Sequence, residues 1–198
     1  MDLVLIRHPA PAVEAGICYG ASDLPLAGEV PAEAAAIVAL LHSARVGRPE
    51  AILASPLLRC ASVAHEIGTL ATQSVRLDAR LREIDFGAWE MRRWDEIGAA
   101  ALDRWQSDLM GAREHGGEST AQFMARIASF AQPFVASLTE EATAILITHA
   151  GVIRALTSLW LGVPLDSLLA RPIAYGGVVR FSRDAHGWQL RQWHETLG

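Results

Sequence analysis

Residues 3–8 of this chain read Leu3-Val4-Leu5-Ile6-Arg7-His8. A short run of bulky apolar residues of this kind is typical of a strand buried on both faces of a parallel sheet. Two later runs, 51–54 and 144–147, have the same form, and helix-patterned stretches lie between the three. Strands that alternate with helices predict an α/β fold, here a three-layer α/β/α arrangement around a mainly parallel sheet.

The helices are predicted from apolar residues at helical spacing and from the residues at their ends. Ser55 is a candidate N-cap for the second helix, with Pro56 at its first position, and Ser119 or Thr120 is a candidate N-cap for the third. Two strands around a turn are expected near the end of the chain. The predicted helices are 29–42, 56–70, 119–138 and 152–161, the two strands are 177–182 and 188–193, and the turn is 184–187.

The length of 198 residues favours one domain that covers 1–198. Residues 82–117 interrupt the alternation of strands and helices and are rich in Trp, Arg and Glu, so we expect a small insertion there over one end of the sheet. Its tryptophans either wall a cleft or pack the insertion. Trp188 and Trp193 indicate either sheet packing or the surface of a homodimer.

The composition excludes several kinds of protein. All 17 basic residues are arginines, so neither a Schiff-base lysine nor a phosphate-loop lysine is available. The formal net charge of -5 disfavours nucleic acid as a partner. Because the chain shows neither a long apolar run nor a basic leader, we expect no membrane span, no signal peptide and a cytoplasmic location. Cys18 and Cys60 are too few for a disulfide framework and are expected to be reduced.

Polar residues with catalytic chemistry follow each of the three buried strands. Arg7 and His8 come after the first strand, Arg59 lies shortly after the second, and His149 follows the third. Ligands bind outside the carboxyl ends of parallel strands, so these side chains are expected to face one crevice. Two guanidinium groups suit a phosphate, and a neutral imidazole is a competent phosphoryl acceptor. The pattern therefore predicts chemistry on a phosphate group.

A phosphoryl transfer also needs an acid for the leaving oxygen. The segment Leu81-Arg82-Glu83-Ile84-Asp85-Phe86-Gly87 offers two carboxylates, Glu83 and Asp85, at the start of the predicted insertion. The sequence favours Glu83 and leaves Asp85 as its competitor.

Five short motifs occur in this order along the chain: Leu5-Ile6-Arg7-His8, Ser55-Pro56-Leu57-Leu58-Arg59, Leu81-Arg82-Glu83, Gly116-Gly117-Glu118-Ser119 and Thr148-His149-Ala150-Gly151. In this order they resemble the pattern of the histidine phosphatase superfamily, which includes phosphoglycerate mutases and acid phosphatases. One Arg-His pair would carry little weight, but five ordered motifs are specific. The resemblance implies a phosphoglycerate mutase-like fold with an insertion over the active site, and a phosphomonoesterase activity.

The resemblance also implies roles for individual residues. His8 would be the nucleophile that forms a phosphohistidine, and Glu83 would be the general acid and base. Arg7, Arg59 and His149 would hold the phosphoryl group. No metal and no organic cofactor are implied, because arginines and histidines supply the positive charge.

Further features resemble one branch of the superfamily, the α-ribazole phosphatases of cobalamin biosynthesis. Segments 16–26 and 86–90 are similar to that branch, and the chain is shorter than phosphoglycerate mutases. Three more substrate contacts are implied: Tyr19 and Gly20, where mutases of the family place a Thr-Gly pair, and the amide of Ala150. The implied partner is a small-molecule phosphate ester, with α-ribazole 5′-phosphate as the first candidate.

Other functions stay open at this point. They are a broad-specificity phosphatase, a phosphoglycerate mutase-like phosphotransferase, and a non-catalytic module on a degraded phosphatase fold. Four positions depart from the common pattern of the family: Pro9 follows the nucleophile and has no N–H, Pro11 and Glu14 replace a threonine and an asparagine, and Met91 stands where a glycine is common. Glu14 is expected to face solvent, because a carboxylate would repel a phosphate.

Overall fold

The computed structural model describes residues 1–194. Within them the chain forms a six-stranded sheet with the strand order β3-β2-β4-β1-β5-β6. Strands β1 to β4 are parallel, whereas β5 and β6 are antiparallel to their neighbours. The predicted α/β class with a mainly parallel sheet is thus confirmed. The strands are β1 Asp2–Arg7, β2 Ala51–Ala54, β3 Val75–Leu77, β4 Thr143–Thr148, β5 Val178–Asp184 and β6 Gly187–Trp193.

Seven helices accompany the sheet in the described part of the chain, together with two short 3₁₀ turns, Ala79–Leu81 and Gly87–Trp89. None of these helices combines the length and the apolarity needed to cross a bilayer. The helices are α1 Val30–Ser43, α2 Leu58–Ala71, α3 Trp94–Ile97, α4 Ala99–Ser107, α5 Thr120–Ala136, α6 Ala150–Leu161 and α7 Asp166–Leu169.

Alternate side chains of β1 enter two separate cores, because successive residues of a strand face opposite sides of the sheet. Val4 and Ile6 pack with residues of α1 and α2. Leu3 and Leu5 pack with residues of α5 and α6 on the other face. The sheet therefore lies between two layers of helices, and the three-layer arrangement that the sequence predicts is observed.

Two local predictions near β2 were wrong. Helix α2 begins at Leu58 with Leu57 as its N-cap residue, so Ser55 does not cap it and Pro56 precedes it. The reason is that Ser55 still belongs to the end of the sheet, where its N–H donates to the Ile147 carbonyl at 3.0 Å. The short strand β3 was also missed, because two of its three residues are exposed and it lacks a buried apolar run.

The other helix ends agree more closely with the sequence. Ser119 caps α5 in a reciprocal pair with Gln122, in which each side chain accepts a hydrogen bond from the other residue's backbone N–H. Helix α6 begins two residues earlier than predicted, with His149 as its N-cap residue, and ends at Gly162 in the left-handed region. The second histidine is thereby placed at the amino terminus of a helix.

Residues 82–117 form α3, α4 and the second 3₁₀ turn rather than a continuation of the sheet. Aromatic rings hold this segment together, with edge-on ring pairs whose centroids lie 5.0 to 6.4 Å apart. Backbone hydrogen bonds join the segment to the loop after β1. The Cys18 N–H donates to the Arg92 carbonyl and the Met91 N–H donates to the Cys18 carbonyl, both at 2.7 Å. The rings are Phe86, Trp89, Trp94, Trp105 and His115.

The two C-terminal tryptophans both have partners within the chain. Trp188 stacks on Trp160 with ring centroids 4.6 Å apart, and Trp193 Nε1 donates to the Pro172 carbonyl at 2.7 Å. These contacts favour the sheet-packing interpretation of the two residues. The homodimer stays a prediction.

Candidate active site

The carboxyl ends of β1, β2 and β4 bring three of the predicted residues together. His8 follows β1, and its backbone N–H donates to the Thr148 carbonyl at the end of β4 at 2.9 Å. The His8 and His149 rings lie 5.2 Å apart, edge to face. Arg59 Nε, near the start of α2, lies 3.3 Å from His8 Nε2. The predicted convergence of strand ends is therefore observed for these side chains.

The hydrogen bonds of His8 define its tautomer. Nδ1 lies 2.7 Å from the carbonyl oxygen of Pro9, and a carbonyl only accepts, so Nδ1 carries the proton. Nε2 then holds the free lone pair and accepts the hydrogen bond from Arg59. Pro9 lacks an N–H, but the group used here is its carbonyl. Burial is the main cause that lowers the pKa of His8 to about 3, and the positive charges of Arg59 and, to a smaller extent, Arg7 act in the same direction. The imidazole of His8 is therefore neutral at physiological pH.

Arg59 is fully buried, and each of its three nitrogens has a hydrogen-bond acceptor. Its two terminal nitrogens donate to the carbonyls of Ser22 and Gly20 at 2.7 and 2.6 Å. A Cβ on Gly20 would overlap the Ile84 carbonyl oxygen, so only glycine fits there. Gly20, predicted as a substrate contact, thus lies in the structure as an acceptor for Arg59.

Arg7 lies against a tyrosine that the sequence interpretation missed. Its guanidinium carbon is 3.7 Å from the ring centroid of Tyr175, and one terminal nitrogen donates to the Ile173 carbonyl at 2.7 Å. The hydroxyls of Tyr175 and Tyr19 are 2.6 Å apart. Strand β5 runs antiparallel to β1, so the residues before β5 meet the carboxyl end of β1. That topology is the signal that could have identified Tyr175.

His149 has a buried partner that was also missed. Its Nε2 lies 2.8 Å from the Ser55 hydroxyl, and Cys60 Sγ is 3.5 Å from the same nitrogen. Burial, together with the neighbouring His8 and Arg59, holds the pKa of His149 well below its usual value. Ser55 follows β2 directly, as His8 and His149 follow their strands, so its position was a signal for this role.

The two candidate carboxylates differ in position. Glu83 is half-buried and accepts from the backbone N–H of Gly151 at 2.9 Å, in the first turn of α6 and two residues after His149. A Cβ on Gly151 would overlap this carboxylate. Asp85 is exposed and accepts from the Gly87 N–H at 2.7 Å, as in an Asx turn. The geometry thus favours Glu83 as the carboxylate of the site.

Ala150 is the first residue of α6, where a backbone N–H has no acceptor within the helix. This N–H is therefore free to donate to an anion beside His149. The contact of the Ala150 amide with a phosphoryl group stays a prediction.

Comparison with known proteins identifies the family of the chain. The sequence pattern of the histidine phosphatase superfamily, branch 1, matches residues 3–196. The chain belongs to the histidine phosphatase superfamily. The predicted resemblance is confirmed, and with it the interpretation of the protein as an enzyme with phosphomonoesterase activity.

Relatives of three kinds are similar to this histidine phosphatase: two kinds of phosphatase and probable phosphoglycerate mutases. A glucosyl-3-phosphoglycerate phosphatase from Mycolicibacterium vanbaalenii is 31% identical over 83% of this chain and 76% of the relative. An adenosylcobalamin/α-ribazole phosphatase from Escherichia coli is 26% identical over 85% of this chain and 83% of the relative. A solved mycobacterial glucosyl-3-phosphoglycerate phosphatase superposes with a TM-score of 0.84 and 27% identity, covering 99% of both chains.

A cavity of about 210 Å³ adjoins Glu83 in this phosphatase. The wall of the cavity is mostly apolar. The half-buried Arg154 contributes a cationic side chain to it. Burial lowers the pKa of Arg154. The same side chain holds α7 by donating hydrogen bonds to the carbonyls of Leu168 and Arg171, both at 3.0 Å. The lining residues are Tyr19, Glu83, Ile84, Phe86, Trp105, Leu109, Thr120, Phe123, Ala150, Gly151, Arg154, Leu165 and Leu169.

Other residues that the motifs singled out have structural contacts. Glu118 forms an ion pair with Arg126 at 2.7 Å, and Arg126 also donates to the carbonyls of the 80–83 segment. Glu14 is exposed, as predicted. Met91 has a φ of 62°, the left-handed region that favours glycine, which accounts for the glycine common there in the family. Within residues 1–194, no cluster of three His, Cys, Asp or Glu side chains could hold a metal.

The two buried histidines make stability depend on pH. Each has a pKa in the folded state below the unfolded value of about 6.5, so below that pH the unfolded chain binds more protons. We expect the free energy of unfolding to fall as the pH drops below about 6.5. His8 contributes a slope of roughly 1 kcal/mol per pH unit until the pH approaches its folded pKa of about 3, and His149 acts in the same direction. Urea unfolding between pH 4.5 and 7.5 measures this slope.

His8→Asn removes one of the two groups and should reduce the slope in that range. His65→Asn, at an exposed histidine of α2, is the matched control and should leave the slope unchanged. Equal slopes for all three proteins would contradict the assignment of His8 as a buried neutral histidine.

Proposed function

We propose that this enzyme hydrolyses a small-molecule phosphate ester through a phosphohistidine on Nε2 of His8. One observation carries the proposal: the Nδ1–H of His8 is held by the Pro9 carbonyl, which leaves the Nε2 lone pair beside Arg59. A neutral imidazole with a fixed tautomer is a ready nucleophile. The same contact sets that nucleophile next to the cation that binds the phosphoryl oxygens.

In the first step, His8 Nε2 attacks phosphorus in line with the leaving oxygen. The P–N bond forms, the P–O bond to the alcohol breaks, and Glu83 in its acid form gives its proton to the leaving oxygen. Arg7, Arg59 and His149 surround the phosphoryl oxygens and stabilise the charge that develops on them. The Ala150 amide at the start of α6 is a further donor to these oxygens.

In the second step, a water molecule replaces the alcohol. The Glu83 carboxylate takes a proton from this water as its oxygen attacks phosphorus, and the P–N bond breaks. Neutral His8, protonated Glu83 and inorganic phosphate result, so the enzyme returns to its starting state. Both steps use only groups of this chain, and the panel of phosphate esters is therefore assayed in the presence of a chelator.

His8→Asn should abolish the phosphoenzyme. Because the nucleophile is lost, we expect kcat to fall by at least about a thousandfold. Rapid quenching of the wild type with an aryl phosphate should trap a phosphoryl group that is stable in base and labile in acid, as expected for a phosphohistidine. His65→Asn is the control and should retain both kcat and the trapped group. Trapping of the group on the His8→Asn variant would exclude this mechanism.

The two carboxylates are separated by a matched pair of substitutions. Glu83→Gln should lower kcat for an alkyl phosphate by about 10²- to 10⁴-fold, because both proton transfers are lost. With an aryl phosphate, whose leaving group needs no proton, a burst of about one phenolate per enzyme should remain before slow turnover. Asp85→Asn should change kcat by less than about twofold. The reverse pattern would assign the proton transfers to Asp85.

Two substrates are supported by separate observations. α-Ribazole 5′-phosphate, with its apolar aromatic base, suits the cavity beside Glu83, which Tyr19, Phe86 and Trp105 line with rings. Glucosyl-3-phosphoglycerate is the ester named for three relatives that are 30 to 31% identical, and Arg154 in the cavity wall could pair with its carboxylate. We propose the ribazole ester first, because the wall is mostly apolar.

A panel of esters decides between these substrates. We expect kcat/KM in the presence of chelator to be at least about tenfold higher for α-ribazole 5′-phosphate than for glucosyl-3-phosphoglycerate, because apolar complementarity is worth roughly 1–3 kcal/mol. A preference for glucosyl-3-phosphoglycerate would identify that ester as the substrate instead. Equal rates on both esters would indicate a broad-specificity phosphatase. Isomerisation of 3-phosphoglycerate that depends on a bisphosphate primer would indicate a mutase.

A further inference from the structure

The half-buried side chain of Glu90 accepts hydrogen bonds from four backbone N–H groups and one hydroxyl. Its two oxygens accept from the backbone N–H groups of Gly20, Ala21 and Ser22 at 2.9 to 3.1 Å, and from the Ser22 hydroxyl. They also accept from the Phe86 N–H at 2.9 Å. One carboxylate therefore fixes the loop formed by residues 20–22 and joins it to the segment that follows Glu83.

The opposite side of the same loop contacts Arg59. The carbonyls of Gly20 and Ser22 accept from the two terminal nitrogens of Arg59, whose Nε donates to His8 Nε2. The loop thus lies between a carboxylate on its N–H side and a guanidinium on its carbonyl side. Both charges orient the peptide dipoles of the loop in the same sense, so the two sets of hydrogen bonds reinforce each other.

Gly20 is packed tightly between Glu90 and the Ile84 carbonyl, so the position of Glu90 fixes the position of the loop beside Arg59. A Cβ on Gly20 would overlap the Ile84 carbonyl oxygen and lie 2.9 Å from the carboxylate of Glu90, so the loop has little room to shift towards that side. Burial alone would raise the pKa of Glu90, but the hydrogen bonds from Gly20, Ser22 and Phe86 outweigh it and hold the pKa below its usual value. The group is therefore an anion at neutral pH.

We propose that Glu90 is a positioning residue of the reaction. It holds residues 20–22 so that their carbonyls fix the Arg59 guanidinium against His8 Nε2 and the incoming phosphoryl group. The hydrogen bonds of Glu90 go to residues 20–22 and to Phe86, and not to the nucleophile His8. The inference rests on the proposed roles of His8 and Arg59, and it goes beyond them by assigning the placement of Arg59 to a residue of another segment.

Substitution of Glu90 tests the effect on turnover. Glu90→Gln keeps the size of the side chain but replaces one acceptor by a donor that faces backbone N–H groups. We expect kcat/KM for an aryl phosphate to fall by about 10- to 100-fold, since a misplacement of about 1 Å can cost about 100-fold. Glu96→Gln, an exposed glutamate of the same segment, makes the same charge change and should retain wild-type activity.

A double-mutant cycle separates positioning from a general structural role. If Glu90 acts through Arg59, then Glu90→Gln should change kcat/KM by less than about threefold when Arg59→Ala is already present, because the effects of coupled residues do not add. An equal loss in both backgrounds, with thermal unfolding showing folded proteins, would overturn the inference. If Glu90→Gln does not fold, Glu90→Asp, which keeps the charge but shortens the reach, replaces it in the same cycle.

Anion binding gives a test that is independent of turnover. We expect the Kd of inorganic phosphate, measured by calorimetry, to rise at least tenfold in Glu90→Gln and to stay unchanged in Glu96→Gln. An unchanged Kd in Glu90→Gln would overturn the inference even if the wild type forms a phosphohistidine. Failure of the wild type to form that intermediate would overturn the proposed mechanism instead, and the phosphate Kd would still decide the role of Glu90.

Discussion

The site depends on the burial of one guanidinium group, that of Arg59. A buried charge is strongly destabilising unless it is paired or hydrogen-bonded, and here its acceptors are two backbone carbonyls and the neutral imidazole of His8. The positive charge is therefore spread over dipoles, and within residues 1–194 no carboxylate lies at hydrogen-bond distance to cancel it. It remains able to attract a phosphoryl group, which a close ion pair with Asp or Glu would have weakened.

The neutral state of the two histidines also follows from the burial of Arg59. Next to a buried cation, a protonated imidazole would be repelled as well as poorly solvated, so His8 and His149 are both neutral. Neutrality leaves a lone pair on His8 for attack. The Ser55 hydroxyl and the helix start after His149 then complete the lining of the site without adding a further charge.

Much of the architecture and part of the site could be predicted from the sequence, because buried parallel strands have a strong apolar pattern and ligands bind where they end. The edge strand β3 has no such pattern, since the Arg76 and Leu77 side chains are exposed. Tyr175 lies at the site because β5 runs antiparallel to β1. The local periodicity of the sequence does not encode the direction of a strand. Glu90 was missed for another reason: most of its partners are backbone N–H groups, which every residue except proline carries.

The local charge of the site, and not the total charge of the protein, decides whether an anionic ester can bind. The chain carries a formal net charge of -5, but exposed carboxylates such as Glu14 and Asp85 are screened by solvent and salt. Arg59 acts from a buried position, where the effective dielectric is lower and the same charge has a larger effect. A phosphate that reaches the strand ends therefore meets a positive field within an acidic protein.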